Sequence, residues 1–266
     1  MSNEKWTEEI SARSSVSLNL KEVIRYKDLL FLFVKRDLVT VYKQTILGPA
    51  WYIIQPLITS VIFTLIFNYV ADVQTNGVPP YLFNLCGVVI WGYFAESLTG
   101  TSDTFKKNEG IFGKVYFPRI VVPFSVIISL LLKLGIQLII FICFFFYFSY
   151  SDEYHFELGY GLVYFPLIFT MMGMLGLGLG LITSSLTTKY RDLIFMVQFG
   201  VQLLMYVSAV MYPIEMVANK MGGNPIIVKM IEYNPIAILI ETNREIFFYG
   251  AGFDIIDKLI YPFVFV

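Results

Sequence analysis

The chain has 266 residues, 57% of them hydrophobic and only 15% charged, with a mean hydropathy of +0.69. That balance excludes a water-soluble domain of ordinary composition. The net charge of -1 says little about partners, and no nucleic-acid partner is expected.

Residues 1–18 read as a polar tail without the apolar core of a cleavable signal peptide, so the first span is expected to direct insertion. Residues 19–48 read as one amphipathic interface helix. Asn19 and Glu22 have the spacing of a capping box, Lys21, Arg25, Asp28 and Lys35 form one stripe, and Leu20, Val23, Ile24, Leu30, Val34 and Leu38 form the other. Such a helix suits either the headgroup boundary or the protein's own cytoplasmic surface. Gly48-Pro49 then breaks it and turns the chain into the bilayer, with Trp51 and Tyr52 at the interface.

Residues 49–266 are predicted to be a transmembrane domain. Apolar runs at 51–70, 82–102, 120–150, 161–186 and 193–212 are each about 20 residues or more, enough to cross a hydrocarbon core of ~30 Å. A sixth starts at Ile255 and stops at Val266, so the expectation is an all-α protein of six spans whose last is cut short. Eight cations precede the first span, Lys106, Lys107, Lys114 and Arg119 follow the second, and Lys189 and Arg191 follow the fourth; the loops at 72–81 and 151–160 hold none. This bias predicts a cytoplasmic N-terminus. Cys86 and Cys143 fall inside spans, which argues against a disulfide or thiol metal site, and His155, beside Asp152, Glu153 and Glu157, reads as a solvated loop.

Charges inside spans are costly unless paired or hydrated. Glu96, Lys133 and Gln137 therefore either line a hydrated pathway or face the bundle interior as a structural set, with a direct Glu96–Lys133 salt bridge possible. Trp91, Tyr93 and Phe94 could present rings to sugar CH faces or simply pack. Gly173, Gly176, Gly178 and Gly180 mark close helix packing. Between Pro213 and Ile255 the apolar pieces are too short to cross and are broken by Gly222-Gly223, Pro225 and Pro235. A re-entrant helical pair or an amphipathic loop on the leaflet would fit, with Glu232, Glu241, Arg244 and Glu245 at a pore mouth or facing one another.

An ordered series of motifs runs through these elements: Lys35-Arg36-Asp37-Leu38, Tyr42-Lys43-Gln44, Leu47-Gly48-Pro49-Ala50-Trp51, Gln55-Pro56, Tyr116-Phe117-Pro118-Arg119 with Pro123, Tyr190-Arg191-Asp192, Tyr212-Pro213 and Tyr233-Asn234-Pro235. From about Asn19 to Leu259 the chain resembles permease subunits of ABC-2 type transporters, most of all exporters of lipid-linked polysaccharides such as O-antigen and teichoic acid. The resemblance implies a non-enzymatic transport subunit in a bacterial inner membrane. Two copies would work with two cytoplasmic ATPases that carry the ATP and Mg, since this chain has no GxxxxGK[ST] loop and no cofactor of its own. It also implies an external re-entrant pair containing Tyr212, Pro213, Asn234 and Pro235, and places ATPase docking on Phe105, Lys106, Lys107, Glu109, Ile111 and Phe112. An ordinary loop whose phenylalanines dip into lipid is the other reading of that segment. Arg36, Asp37, Tyr42, Gly48, Pro49, Trp51, Tyr190, Arg191 and Asp192 would form the interface helix and its hinge, with Arg191 and Asp192 pairing locally or touching Arg36 and Asp37. The alternatives are an ABC-2 exporter of small hydrophobic compounds and a membrane-embedded transferase acting on lipid carriers.

Overall fold

The computed structural model describes residues 20–43, 47–114, 117–150, 154, 159–188, 190, 192–216, 225–250, 252 and 255–266, and its regular elements are helices. Asn19, Gln44, Tyr116, His155, Lys189, Arg191 and Gly222-Gly223 lie outside them, as does the side chain of Tyr42.

The predicted interface helix is two helices, α1 (Leu20–Arg25) and α2 (Lys27–Lys43), separated at Tyr26. Leu30, Phe33 and Val34 of α2 are buried against Phe117, Val121 and Val122, so α2 packs on the protein's own bundle. Ile24, Phe31 and Leu32 remain exposed, which leaves an apolar strip on the outer side. Gly48 has φ +51°, a conformation costly for residues with a Cβ, and Pro49 stands before the first turn of α3 (Ala50–Phe63). This is the turn into the span that the Gly-Pro pair predicts.

α3 continues as a π-helical segment, Thr64–Val70, giving one apolar rod of 21 residues. Asn84 of α4 (Pro80–Ser102) ties to this segment, donating to Thr64 Oγ1 at 3.1 Å and to Asn68 Oδ1 at 2.8 Å. Two short turns of helix follow, α5 (Thr104–Lys107) and α6 (Glu109–Phe112), then α7 (Val121–Ser149). A 3-10 turn at Tyr160–Tyr164 leads into α8 (Phe165–Thr187). Four helical stretches, Ala50–Val70, Pro80–Ser102, Val121–Ser149 and Tyr160–Thr187, are long and apolar enough to cross a membrane.

α4 is the hub of the bundle: 72% of its apolar window is buried inside the protein, against 17% for α3. Its tightest neighbour is α8, and glycine makes this possible. A Cβ on Gly176 would lie 2.6 Å from Ser97 Cβ, and one on Gly180 would lie 2.6 Å from Thr101 Cβ, while Gly173 backs onto the Tyr93 ring. Gly178 faces open space, so three of the four glycines in the series form the seam.

The fifth apolar run departs from the sequence expectation of 193–212. Its helix, α9 (Leu193–Val207), has 15 residues, and the chain turns at Ser208–Tyr212 with Ala209 at φ +51°. Beyond it come α10 (Pro225–Glu232), α11 (Pro235–Phe248) and α12 (Ile255–Phe265). α11 is not a surface loop: Ala237, Leu239, Ile240 and Ile246 are fully enclosed, and it packs on α4, α8 and α12.

Candidate functional site

At the end of the bundle that carries α2, four aromatic rings form a ladder. Phe33 lies 5.7 Å from Phe117, Phe117 lies 5.5 Å from Phe112, and Phe112 lies 6.1 Å from Phe105. Arg36 sits over Phe33 at 4.8 Å and Arg119 over Phe112 at 5.9 Å. Arg36 also donates to Asp37 at 2.9 Å and to Oδ1 of Asn108 at 3.0 Å, and Asn108 is itself fixed by donating to the Thr104 carbonyl. Ile111 and Phe112 are half-buried against the α2 cluster. Lys107 and Glu109 stay exposed, with Lys107 bonded to Asp103 at 3.1 Å, and Lys106 is half-buried. The connection and the surface helix therefore form one packed unit. Gly48 is buried, Pro49 is half-buried, and Trp51, Tyr190 and Asp192 are exposed.

Beneath this unit lies a cavity of about 450 Å³ bounded by Arg36, Asp37, Lys107, Asn108 and Lys133, with Tyr52 on its wall. A second, of about 330 Å³, shares Lys107 and Leu130 with it and reaches Glu96, Thr99, Asp103 and Gln198. The third, of about 230 Å³, shares Glu96 with the second and extends to Trp91, Gln137, Gln55 and Met205. Polar groups thus step inward along one side of the bundle, between α3, α4, α7 and α9.

Glu96 and Lys133 do pair directly across α4 and α7. The Lys133 ammonium also faces the Tyr52 ring at 4.9 Å, so a carboxylate and an aromatic face share its charge. Gln137 Nε2 donates to the Tyr52 carbonyl at 3.0 Å. Three of the pathway candidates, Glu96, Lys133 and Gln137, come together with Trp91 on these cavities. Tyr93 and Phe94 do not. Tyr93 packs against Gly173 and Phe169 of α8, and Phe94 is fully enclosed beside Trp91. Tyr52, expected only at the interface, and Asn108 were not legible as members of this site. A tyrosine at an interface and an asparagine in a loop carry no local sign that they meet a lysine and an arginine from distant helices.

At the opposite end the second of the two expected arrangements holds for Glu241 and Arg244, which face one another. Arg244 has no exposed surface and reaches the end of α9, donating to the carbonyls of Ala209 at 2.9 Å and Val210 at 2.5 Å. Glu241 pairs with it at 3.1 Å, Glu245 pairs with Lys258 at 2.6 Å, and Glu232 is exposed. Asn234 caps α11, accepting from Ile236 N at 3.0 Å and donating to Ser208 Oγ at 3.1 Å, and Pro235 takes the first helical position, as its fixed φ favours. Pro213 is buried, and the Tyr212 hydroxyl donates to the Tyr206 carbonyl. Among the described residues no three His, Cys, Asp or Glu side chains cluster to hold a metal ion.

Residues 28–248 match the family described as ABC-2 type transporter. Among curated proteins, an O-antigen export system permease protein RfbA of Klebsiella pneumoniae is 31% identical over 239 residues, spanning 89% of this chain and 86% of its own length. A second protein of that name and organism is 30% identical over the same length. The protein of that name from Myxococcus xanthus is 23% identical over 229 residues, spanning 86% of this chain and 84% of its own length.

Proposed function

The chain belongs to the ABC-2 type transporter family, and from that premise we propose that it is the permease half of an ATP-driven exporter that moves a lipid-linked polysaccharide outward across a bacterial inner membrane. The observation that carries this reading is the cavity series beginning at Arg36, Lys107 and Lys133. Arg36, Lys107 and Lys133, each drawn to this cavity beside a carboxylate of its own, can turn to the phosphates that join a glycan to its lipid carrier. At about 450 Å³ the first cavity lies in the ~300–1,000 Å³ range of small-molecule sites. A small hydrophobic cargo would have no use for these charges. The relatives named as O-antigen export permeases point to the same substrate class.

In this arrangement the N-terminus and the α2 end are cytoplasmic. The α5–α6 connection receives the ATPase through Lys106, Lys107 and Glu109, with Phe105, Ile111 and Phe112 passing its motion to α2 through the ring ladder. A second copy covers the apolar faces of α3 and α9, where Ile58, Leu65, Phe195 and Phe199 are exposed. α10 and α11 form the re-entrant pair at the external end.

The test is export in cells lacking the endogenous permease. The unaltered chain should restore surface polysaccharide and co-purify with an ATPase in equal amount. Arg36→Gln with Lys133→Gln, which leaves the docking residues untouched, should keep the ATPase but lower surface polysaccharide at least tenfold. Undiminished export by that variant would sink the phosphate-binding role, and absence of any ATPase partner would sink the exporter.

A further inference from the structure

The first turn past α9 poses a physical problem. The last carbonyls of a helix, and those of an irregular turn that follows it, lack ladder partners, and in hydrocarbon each orphan is expensive. α9 stops after 15 residues, and Ser208–Tyr212 then runs in a non-helical path with Ala209 at φ +51°. Among the described residues no backbone N–H outside the helices takes up the carbonyls of Ala209, Val210 and Tyr212.

Arg244 takes them instead. Its Nη1 donates to Ala209 at 2.9 Å and to Tyr212 at 3.4 Å, and its Nη2 donates to Val210 at 2.5 Å. The guanidinium carbon lies 3.7 Å from the centre of the Phe83 ring, and Glu241, one turn back on α11, balances the charge at 3.1 Å. α4 makes room for this: a Cβ on Gly87 would lie 2.5 Å from the Val210 oxygen and 2.6 Å from Arg244 Nη2. A second tie runs parallel, since Asn234 at the head of α11 donates to Ser208 Oγ and to the Val207 carbonyl. Ala209 and Ala237 are fully enclosed in the small core between these elements.

We infer that Arg244 is a positioning residue that fastens the broken end of α9 to α11, so that the two travel as one body during export and the path opens elsewhere. The inference rests on the export function above. Its logic is that separating them would strand three carbonyls and a fully buried cation together, whereas moving them jointly strands nothing.

The test uses a reversible bond in place of the guanidinium. Ser208→Cys with Asn234→Cys, and Cys143→Ser to remove the exposed native thiol, is made in the full chain with its ATPase, with Arg244 kept or changed to Gln. With Arg244 kept, oxidation to the disulfide should leave surface polysaccharide within twofold of the reduced form. In the Arg244→Gln chain the reduced form should export at least tenfold less while reaching the membrane at normal level, and oxidation should recover at least half of the loss. Recovery by a bond that merely fastens two elements is not expected of an arginine needed only for folding. Loss of export on oxidation with Arg244 kept, restored by reductant, would show that the path opens between α9 and α11 and overturn the proposal. So would failure of oxidation to raise export by the Arg244→Gln chain. If the unaltered chain exports no polysaccharide at all, it is the assigned function that fails instead.

Discussion

Pro56 and Gln137 complete one another across two helices. Pro56 sits inside α3 and has no N–H for the Tyr52 carbonyl four residues earlier, and Gln137 of α7 supplies the missing donor at 3.0 Å. Gln137→Leu should strand that carbonyl and destabilise the protein by about 1–3 kcal/mol. In a Pro56→Ala background the helix can make its own bond, and the same substitution should cost less than half as much. Thermal unfolding in detergent, run as a double-mutant cycle, decides it; equal cost in both backgrounds would refute the substitution of one donor for the other.

The Glu96–Lys133 pair should show the asymmetry of ion pairs in apolar surroundings. Glu96→Gln alone removes the charge that balances Lys133, leaving it an amide oxygen and the Tyr52 ring, and should cost about 1–3 kcal/mol, reduced because Glu96 is partly exposed. Adding Lys133→Met removes the stranded charge, so the double variant should regain most of the loss in melting temperature. Additive losses would mean that the two side chains do not depend on each other.

The α4–α8 seam makes a prediction of opposite signs on one helix. Gly180→Ala would push a methyl to 2.6 Å from Thr101 Cβ and should destabilise by about 1–3 kcal/mol through overpacking. Gly178→Ala meets nothing within 4 Å and should be neutral or stabilising by up to about 1 kcal/mol, from helix propensity. Melting temperatures that fall alike for both would place the seam elsewhere.

Asn108 fastens α2 to the connection between α4 and α7 through Arg36. Asn108→Ala should weaken that attachment by about 1.4 kcal/mol, which is tenfold in an opening equilibrium. Amide hydrogen exchange should therefore quicken about tenfold in α2 and stay unchanged in the middle of α7. Unaltered exchange in α2 would assign its attachment to the Phe33–Phe117 ring contact alone.

How much of this could be read in the chain depended on the range of the cause. The four long spans were legible because twenty apolar residues in a row mean the same thing wherever they pack, and the turn at Gly48-Pro49 was legible because those two residues act on their own backbone. The end of α9 was not legible. Ala209, Val210 and Met211 continue the apolar run, and what halts the helix is accompanied by an arginine 35 positions further on. Nor did a place inside a span reveal partnership: Glu96 and Lys133 read equally as pathway or structural residues, and what joins them is a long lysine side chain reaching across from a neighbouring helix. The split between Trp91 on a cavity and Tyr93 and Phe94 in the core depended on helix rotation, which composition does not encode.

The shortness of α9 has a consequence for the membrane itself. Fifteen residues rise about 22 Å, while a bilayer's hydrocarbon core is ~30 Å thick. α9 therefore falls short of a full crossing, whereas the 29-residue α7 exceeds one. Such a step between helices of one bundle is met by a thinner bilayer or by a protein surface laid over the short helix, and the exposed Phe195 and Phe199 of α9 suit the second.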